Sequence, residues 1–229
     1  MLVFVVNDWT THMDPFAAER HQMVLVQLER RGLKDARVLE AMRFVPRHLF
    51  VPDEQRYDAY WDGPLSIGHG QTISQPYIVA LMAEALQLRK CSVCLDVGTG
   101  SGYAAAVLSK LCAHVVSIER FSQLAETARN NLVTAGFENV DVICGDGSLG
   151  YRAKAPYDAI TVAAGAPFVP QELKEQLKPG GRLVIPVGSS RSLQDLIVIR
   201  RDSVGTYESE NFGKVAFVPF VGAQAWPEH

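Results

Sequence analysis

Three observations predict an α/β fold built on a doubly wound, mostly parallel sheet. From Ser92 onward, short β-branched apolar runs alternate with helical patterns, the order that lays strands side by side with helices over both faces. The first three runs end in glycines or acids, at Asp96-Val97-Gly98, Glu119 and Gly145-Asp146-Gly147. The last two runs have no helix between them, so the sheet is expected to close with an antiparallel edge. Ahead of it, two helical patterns predict an N-terminal helical cap.

The elements follow in order. Asp14-Pro15 is a helix start, a capping carboxylate followed by proline. The helix is expected to run to about Arg31, with Val24, Leu25 and Leu28 on one face and Gly32 as its stop. Lys34 to Phe44 reads as a second helix, with Val38, Leu39 and Met42 together. Pro46 and Pro52 bracket a loop. Residues 53–75 show no clear period and are rich in tyrosine, glycine and proline. Long connections of this kind are usually functional, and a lid over the site is expected here. Pro76 to Leu88 reads as a helix that buries Ile78, Leu81, Met82, Ala85 and Leu86. Strands are then expected at 93–97, 114–119, 140–144, 158–163, 182–187, 193–200 and 214–220. The helices between them are expected at 103–111, 121–135 and 170–177, with a turn at 178–181. The chain thus divides into a loose arm (1–13), the helices and lid (14–89) and the sheet domain (90–229), all in one compact unit.

Composition narrows the function classes. The 229 residues are 48% hydrophobic, 21% charged and 9% aromatic, enough for a core without disulfide or metal staples. Disordered and collagen-like chains are excluded. The formal net charge of -3 lacks the basic excess of a nucleic-acid binder. No run approaches the roughly 20 apolar residues of a membrane helix. Cys91 and Cys94 form a C-x-x-C, but Cys94 sits in an apolar run and no second cysteine or histidine pair completes a metal set. Reduced thiols, no bound metal and a cytoplasmic location are expected.

The strongest signal is Asp96-Val97-Gly98-Thr99-Gly100-Ser101-Gly102-Tyr103, between the first strand of the sheet and its helix. Ligands of doubly wound sheets bind at the carboxyl ends of the strands, and glycine lets a ligand approach the backbone closely. The dinucleotide fingerprint is G-x-G-x-x-G/A, whereas the spacing here is G-x-G-x-G, an imperfect fit. Glu119, 19 residues after Gly100, ends the second strand, where an acid can accept both ribose hydroxyls. Asp146 follows the third strand, placed to accept an adenine amino group. Three consecutive strand ends with glycine or acid signals point to a nucleoside cofactor.

That combination resembles the S-adenosyl-L-methionine (AdoMet)-dependent methyltransferases, whose doubly wound domain is Rossmann-like. Upstream, Asp62-Gly63-Pro64-Leu65-Ser66-Ile67 and Gly68-His69-Gly70-Gln71-Thr72-Ile73-Ser74-Gln75-Pro76-Tyr77 resemble the signature of the protein-L-isoaspartate O-methyltransferases. Ser117-Ile118-Glu119-Arg120 and Gly180-Gly181-Arg182-Leu183-Val184-Ile185-Pro186 fit the same family, and the resemblance runs from about residue 15 to about 221.

The resemblance implies methyl transfer from AdoMet to the free α-carboxylate of L-isoaspartyl residues in damaged proteins and peptides, with S-adenosyl-L-homocysteine as product. It implies Gln71, Asp96, Gly98, Thr99, Gly100, Gly102, Glu119, Asp146 and Gly147 as cofactor contacts. Thr72, Ile73, Gln75 and Pro76 would surround the substrate, and Ser74 would be the catalytic residue. The acceptor carboxylate is already ionised near neutral pH, with a reference pKa of about 3.5. It needs no general base, only alignment and removal of water. Ser74 would donate a hydrogen bond that orients it. On the residues alone, Ser74 reads instead as the N-cap of the helix at Pro76. A monomer is expected.

Three other readings share parts of this pattern: a methyltransferase with a different acceptor, a nicotinamide oxidoreductase, and a cofactor-binding module without catalysis. The first differs in residues 60–77, the second is disfavoured by the loop spacing, and the intact Gln71-Thr72-Ile73-Ser74 argues against the third.

Overall fold

A computed structural model describes residues 14–228; the arm expected at 1–13 lies outside the described residues. Helix α1 (Ala17–Met23) continues through one wide turn at Val24–Leu28 and a tight turn at Glu29–Arg31. Asp14 Oδ1 accepts the Phe16 N–H ahead of it at 2.9 Å, and Gly32 ends it at φ +96°. The expected apolar face holds for Val24 and Leu28, both fully buried, whereas Leu25 is 36% exposed. Helix α2 (Ala36–Phe44) is capped by Asp35, which accepts the Arg37 N–H, and it buries Val38, Leu39 and Met42. The loop bracketed by Pro46 and Pro52 contains a tight turn at Arg47–Phe50.

The stretch 53–75 carries more structure than its composition predicts. It holds a tight helical turn at Asp53–Asp58 and a two-stranded antiparallel ribbon, β1 (Leu65–Gly68) and β2 (Gln71–Ile73). Each strand is too short to show a period of two, which hid the ribbon. Gly68, His69 and Gly70 all take positive φ at its tip. Helix α3 (Pro76–Leu86) follows. Its expected face is only partly right: Met82, Ala85 and Leu86 are buried, but so are Val79, Ala80 and Ala83, while Ile78 and Leu81 are half-buried. The helix is wedged between α2 on one side and the sheet on the other, so it has no single apolar stripe.

The main sheet comprises β3 (Val93–Val97), β4 (His114–Glu119), β5 (Val140–Cys144), β6 (Tyr157–Val162), β7 (Leu177–Val187), β8 (Gln194–Arg201) and β9 (Tyr207–Val215). Its spatial order is β5-β4-β3-β6-β7-β8-β9. The first five strands in that order pair in parallel, while β8 runs antiparallel to both β7 and β9. Helices α4 (Tyr103–Ser109), α5 (Ser122–Thr134) and α6 (Gln171–Glu175) make the crossovers. This is the predicted architecture, with two corrections. Lys178–Gly181 is a bulge inside β7, where Leu177 pairs with Tyr157 and Arg182 already pairs with Ala159. The last strand is Tyr207–Val215, not 214–220. Its run Glu208-Ser209-Glu210-Asn211 is exposed on the sheet edge and is held by backbone pairing, so it has no apolar pattern to read. Residues 217–221 instead turn back over the strand ends, with Pro219 bridged to Gly165.

Polar contacts hold the cap together, and one buried residue, Arg47, carries it onto the sheet domain. Arg20 donates to Asp14 Oδ2 at 2.6 Å and to the Arg43 carbonyl at 2.6 Å. Arg47, fully buried, donates through Nε to the Ala59 carbonyl at 2.7 Å. Its guanidinium lies 4.7 Å from the Tyr103 ring centroid. Burial pulls the Arg47 pKa down to about 10. Through Tyr103, the first residue of α4, the cap touches the segment that follows the glycine loop.

Candidate active site

The chain leaves β3 toward β4 and β5 on one side and returns to β6 and β7 on the other. The crevice outside the carboxyl ends of the strands at such a reversal is where doubly wound sheets bind ligands. Here it is a cleft walled by Gln71–Ser74, Val97–Ser101, Ile118–Phe121, Gly147, Ala163–Ala164 and Val218–Val221.

The glycine loop forms the floor. Gly98 and Gly100 have φ of +90° and +54°, values that L side chains rarely adopt. A Cβ on Gly100 would sit 3.1 Å from Ile67 Cδ1 of the ribbon. Gly147 is glycine for packing, since a Cβ there would lie 2.4 Å from Val97 Cγ1. Gly102 borders α5, close to Leu132 and Ala128, and does not line the cleft.

Glu119, 5% exposed, holds two backbone donors: Gly100 N–H on Oε2 at 2.9 Å and Phe121 N–H on Oε1 at 3.0 Å. Each oxygen keeps a lone pair, enough to take two vicinal hydroxyls. Asp96 lies under the floor, completely buried. Its Oδ2 accepts the Ser117 hydroxyl at 2.7 Å, and Ser117 Oγ is 2.6 Å from Thr99 Oγ1. Burial, with Glu119 nearby, raises the Asp96 pKa to about 6 against the bond from Ser117.

The second acid of the expected cofactor set is placed differently. Asp146 Oδ1 accepts the N–H and the hydroxyl of Ser148, and its Oδ2 accepts the Ala223 N–H at 2.8 Å. Asp146 faces a separate depression beside Arg120, Gly222 and Glu228 and not the main cleft. Ser148 and the Ala223 N–H of the C-terminal segment together take up most of the acceptor capacity expected to serve an adenine.

Of the expected substrate residues, Thr72, Ile73 and Ser74 reach the cleft with Gln71. Gln75 points away and donates to Asp62 Oδ1 at 2.7 Å. Pro76 is buried at the first turn of α3. The N-cap of α3 is Gln75, with no side-chain capping bond, so Ser74 does not serve as the cap. His69 stacks on Phe121, with centroids 5.7 Å apart.

Sequence reading missed Ala163, Ala164, Phe121 and the run Val218–Val221. Only Pro219, which cannot donate to a ladder, signalled that the final apolar run was not a strand. Among the described residues no group of three or more His, Cys, Asp or Glu side chains is arranged to hold a metal ion. Cys91 and Cys94 are unbonded, and burial holds the Cys94 thiol well above the usual range.

A glycine-floored cleft at the switch point, edged by a strand-end carboxylate, marks this fold as a Rossmann-like methyltransferase. Residues 19–225 match the family model described as protein-L-isoaspartate(D-aspartate) O-methyltransferase. A Marinobacter nauticus protein described as protein-L-isoaspartate O-methyltransferase 2 is 58% identical over 91% of this chain and 95% of its own length. One from Methanoculleus marisnigri is 52% identical over 93% of this chain and 96% of its own. A solved structure of a protein-L-isoaspartate O-methyltransferase superposes with a TM-score of 0.76 at 31% identity, covering 90% of this chain and 67% of that one. Another, from Plasmodium falciparum in complex with S-adenosyl-L-homocysteine, has a TM-score of 0.76 at 25% identity, covering 88% of this chain and 98% of that one. The chain belongs to the protein-L-isoaspartate O-methyltransferase family.

Proposed function

We propose that this chain is a protein-repair enzyme that methylates the α-carboxylate of L-isoaspartyl residues in damaged proteins and peptides, with AdoMet as donor. The observation that carries this reading is the shared wall of one cleft: Gln71–Ser74 on one side, the glycine loop and Glu119 on the other.

The residues fit a nucleoside ligand. The loop backbone at Gly98 and Gly100 permits close approach, and Glu119 is held with two oxygens directed at one edge. AdoMet, when bound, supplies a methyl group already activated as a sulfonium. Thr99, Gly100 and Glu119 hold the nucleoside, with Gln71 and Gly98 beside them. Asp96 supports the loop from below through Ser117 and Thr99. Gly102 and Gly147 keep the floor in place by packing, and Asp146 borders the nucleoside end through the C-terminal segment.

Ser74 donates a hydrogen bond to the acceptor carboxylate and sets its angle of approach. Thr72 and Ile73 flank that carboxylate, while Gln75 and Pro76 fix the turn that presents Ser74. AdoMet held by these residues would give its methyl to the carboxylate oxygen and keep the electron pair of the broken carbon–sulfur bond as a neutral thioether. No proton is transferred, so no side chain acts as a base. The ribbon β1–β2 and residues 53–64 exclude water from above.

The net charge of -3 supports a protein rather than a nucleic-acid substrate, and no helix among the described residues is long and apolar enough to cross a membrane. The enzyme works as a cytoplasmic monomer, with residues 14–89 and 90–229 acting as one unit.

The test uses labelled AdoMet with two peptides that differ only in isoaspartate or aspartate at one position. Base-labile methyl ester on the isoaspartyl peptide alone is expected. Labelling of neither, or of both equally, overturns the assignment of substrate.

A further inference from the structure

The centre of the sheet carries a row of polar side chains. Asp96 on β3 is in register with Ser117 on β4 and with Thr161 on β6. Side chains at one register of adjacent parallel strands project to the same face. Asp96 and Ser117 are fully buried and Thr161 is 5% exposed. On the β4 side the row is complete, because Asp96 Oδ2, Ser117 and Thr99 bond one another. It is incomplete at Asp96 Oδ1, which is fully buried and has no hydrogen-bond partner.

Asp96 and Thr161 also line a small chamber that adjoins the main cleft and shares Val79, Ala104 and Ala163 with it. It leaves about 30 Å³ for water centres, and its walls include Ser74, Val79, Asp96, Ala104, Thr161 and Ala163. Ser74 belongs to the walls of both the chamber and the cleft. Buried polar atoms of folded proteins almost always have a partner, in protein or in ordered water. A buried water needs two to four polar partners and roughly 10–15 Å³ of such space. Asp96, Thr161 and Ser74 are the polar residues of a wall that is otherwise apolar.

We propose that the chamber is a built water site that links Asp96 and Thr161 to the Ser74 hydroxyl, and that Thr161 is a positioning residue for Ser74. This rests on the reading of Ser74 as the donor to the substrate carboxylate. The polarity of the partners sets the direction of every bond. An ionised Asp96 only accepts, so the water gives it one proton. The water's second proton goes to Ser74 Oγ, and the Thr161 hydroxyl donates to the water oxygen. Ser74 then accepts from below, and its single proton is directed into the cleft toward the substrate carboxylate. A serine without this acceptor role could turn its proton into the chamber, toward Asp96.

The test combines high-resolution crystallography of the full chain with kinetics of Thr161→Val and Thr161→Ser. Valine has nearly the shape of threonine and removes only the hydroxyl, whereas serine restores it. Wild-type crystals are expected to show a water within hydrogen-bond distance of both Asp96 Oδ1 and Ser74 Oγ. In T161V that water is lost, kcat falls about tenfold, the scale of one hydrogen bond, and the Kd for AdoMet is unchanged. T161S recovers the water and most of the rate. A dry chamber in the wild type overturns the proposal. So does a T161V enzyme with wild-type kcat, or equal losses in T161V and T161S. If the wild type fails to methylate isoaspartyl peptide, the functional reading fails instead, while the electron density still decides whether the water is there and depends on Thr161.

Discussion

Glu119 Oε2 accepts the backbone N–H of Gly100 at 2.9 Å, which ties the end of β4 to the glycine loop after β3. The same carboxylate holds Phe121 N–H through Oε1. It therefore does two jobs: it keeps the loop in shape and presents its remaining lone pairs to the cleft. Replacement by Gln removes the charge and turns one acceptor into a donor facing a backbone N–H. Glu119→Gln is expected to weaken AdoMet binding roughly ten- to hundredfold, the range for hydrogen bonds to a charged group. Titration calorimetry measures this; an unchanged Kd would remove Glu119 from the cofactor site.

Ser74 makes no capping bond to α3 and borders the cleft. Ser74→Ala is expected to lower kcat/KM for an isoaspartyl peptide at least tenfold through loss of a hydrogen bond to a carboxylate. The AdoMet Kd and the melting temperature should stay near wild type. Turnover equal to wild type would sink the role given to this hydroxyl.

Asp96 makes stability depend on pH in a defined direction. Burial raises its folded-state pKa to about 6, from an ordinary value of 3.8. The folded protein thus binds a proton more readily than the unfolded chain between those values. Its contribution is most favourable below the unfolded pKa, falls as pH rises through that window, and stays low above about 6. The cost of ionisation is on the order of 3 kcal/mol at neutral pH. Ser117 and Glu119, the groups that face it, act in opposite directions on this value. Asp96→Asn stays neutral throughout. The melting temperature of the ligand-free D96N variant relative to wild type should therefore be more favourable at pH 8 than at pH 4. A gap that does not change with pH would contradict the raised pKa.

Gly147 has no room for a side chain. Its Cβ would approach Val97 Cγ1 to 2.4 Å, and overpacking of this kind typically costs about 1–3 kcal/mol. Gly147→Ala should lower the melting temperature by several degrees, and Val97→Ala in the same chain should restore part of the loss. Thermal unfolding of the single and double variants checks it. Equal destabilisation in both would mean that the clash is not the cause.

The legibility of this molecule follows element length and local chemistry. The strands 93–97, 114–119 and 140–144 match their expected bounds because each is an apolar run closed by a glycine or an acid. β1 and β2 escaped notice because four and three residues carry no detectable period. β9 escaped because an exposed edge strand is specified by its partner's backbone groups and not by apolar alternation. Ser74, Glu119 and the glycine loop were readable because their motifs are contiguous.

By itself, the sequence determined the sheet class, the cofactor loop and the family, since these depend on local patterns of turn, strand end and spacing. Tertiary structure alone decided which carboxylate faces the cleft. Glu119 and Asp146 look equivalent as acids after strands, yet the return of residues 217–228 across the strand ends occupies Asp146 with Ala223 N–H and leaves Glu119 open to the cleft. It also decided that Asp96 lies beneath the loop with Oδ1 left without a hydrogen-bond partner. Such placements depend on contacts between residues distant in sequence, for which a linear pattern carries no signal.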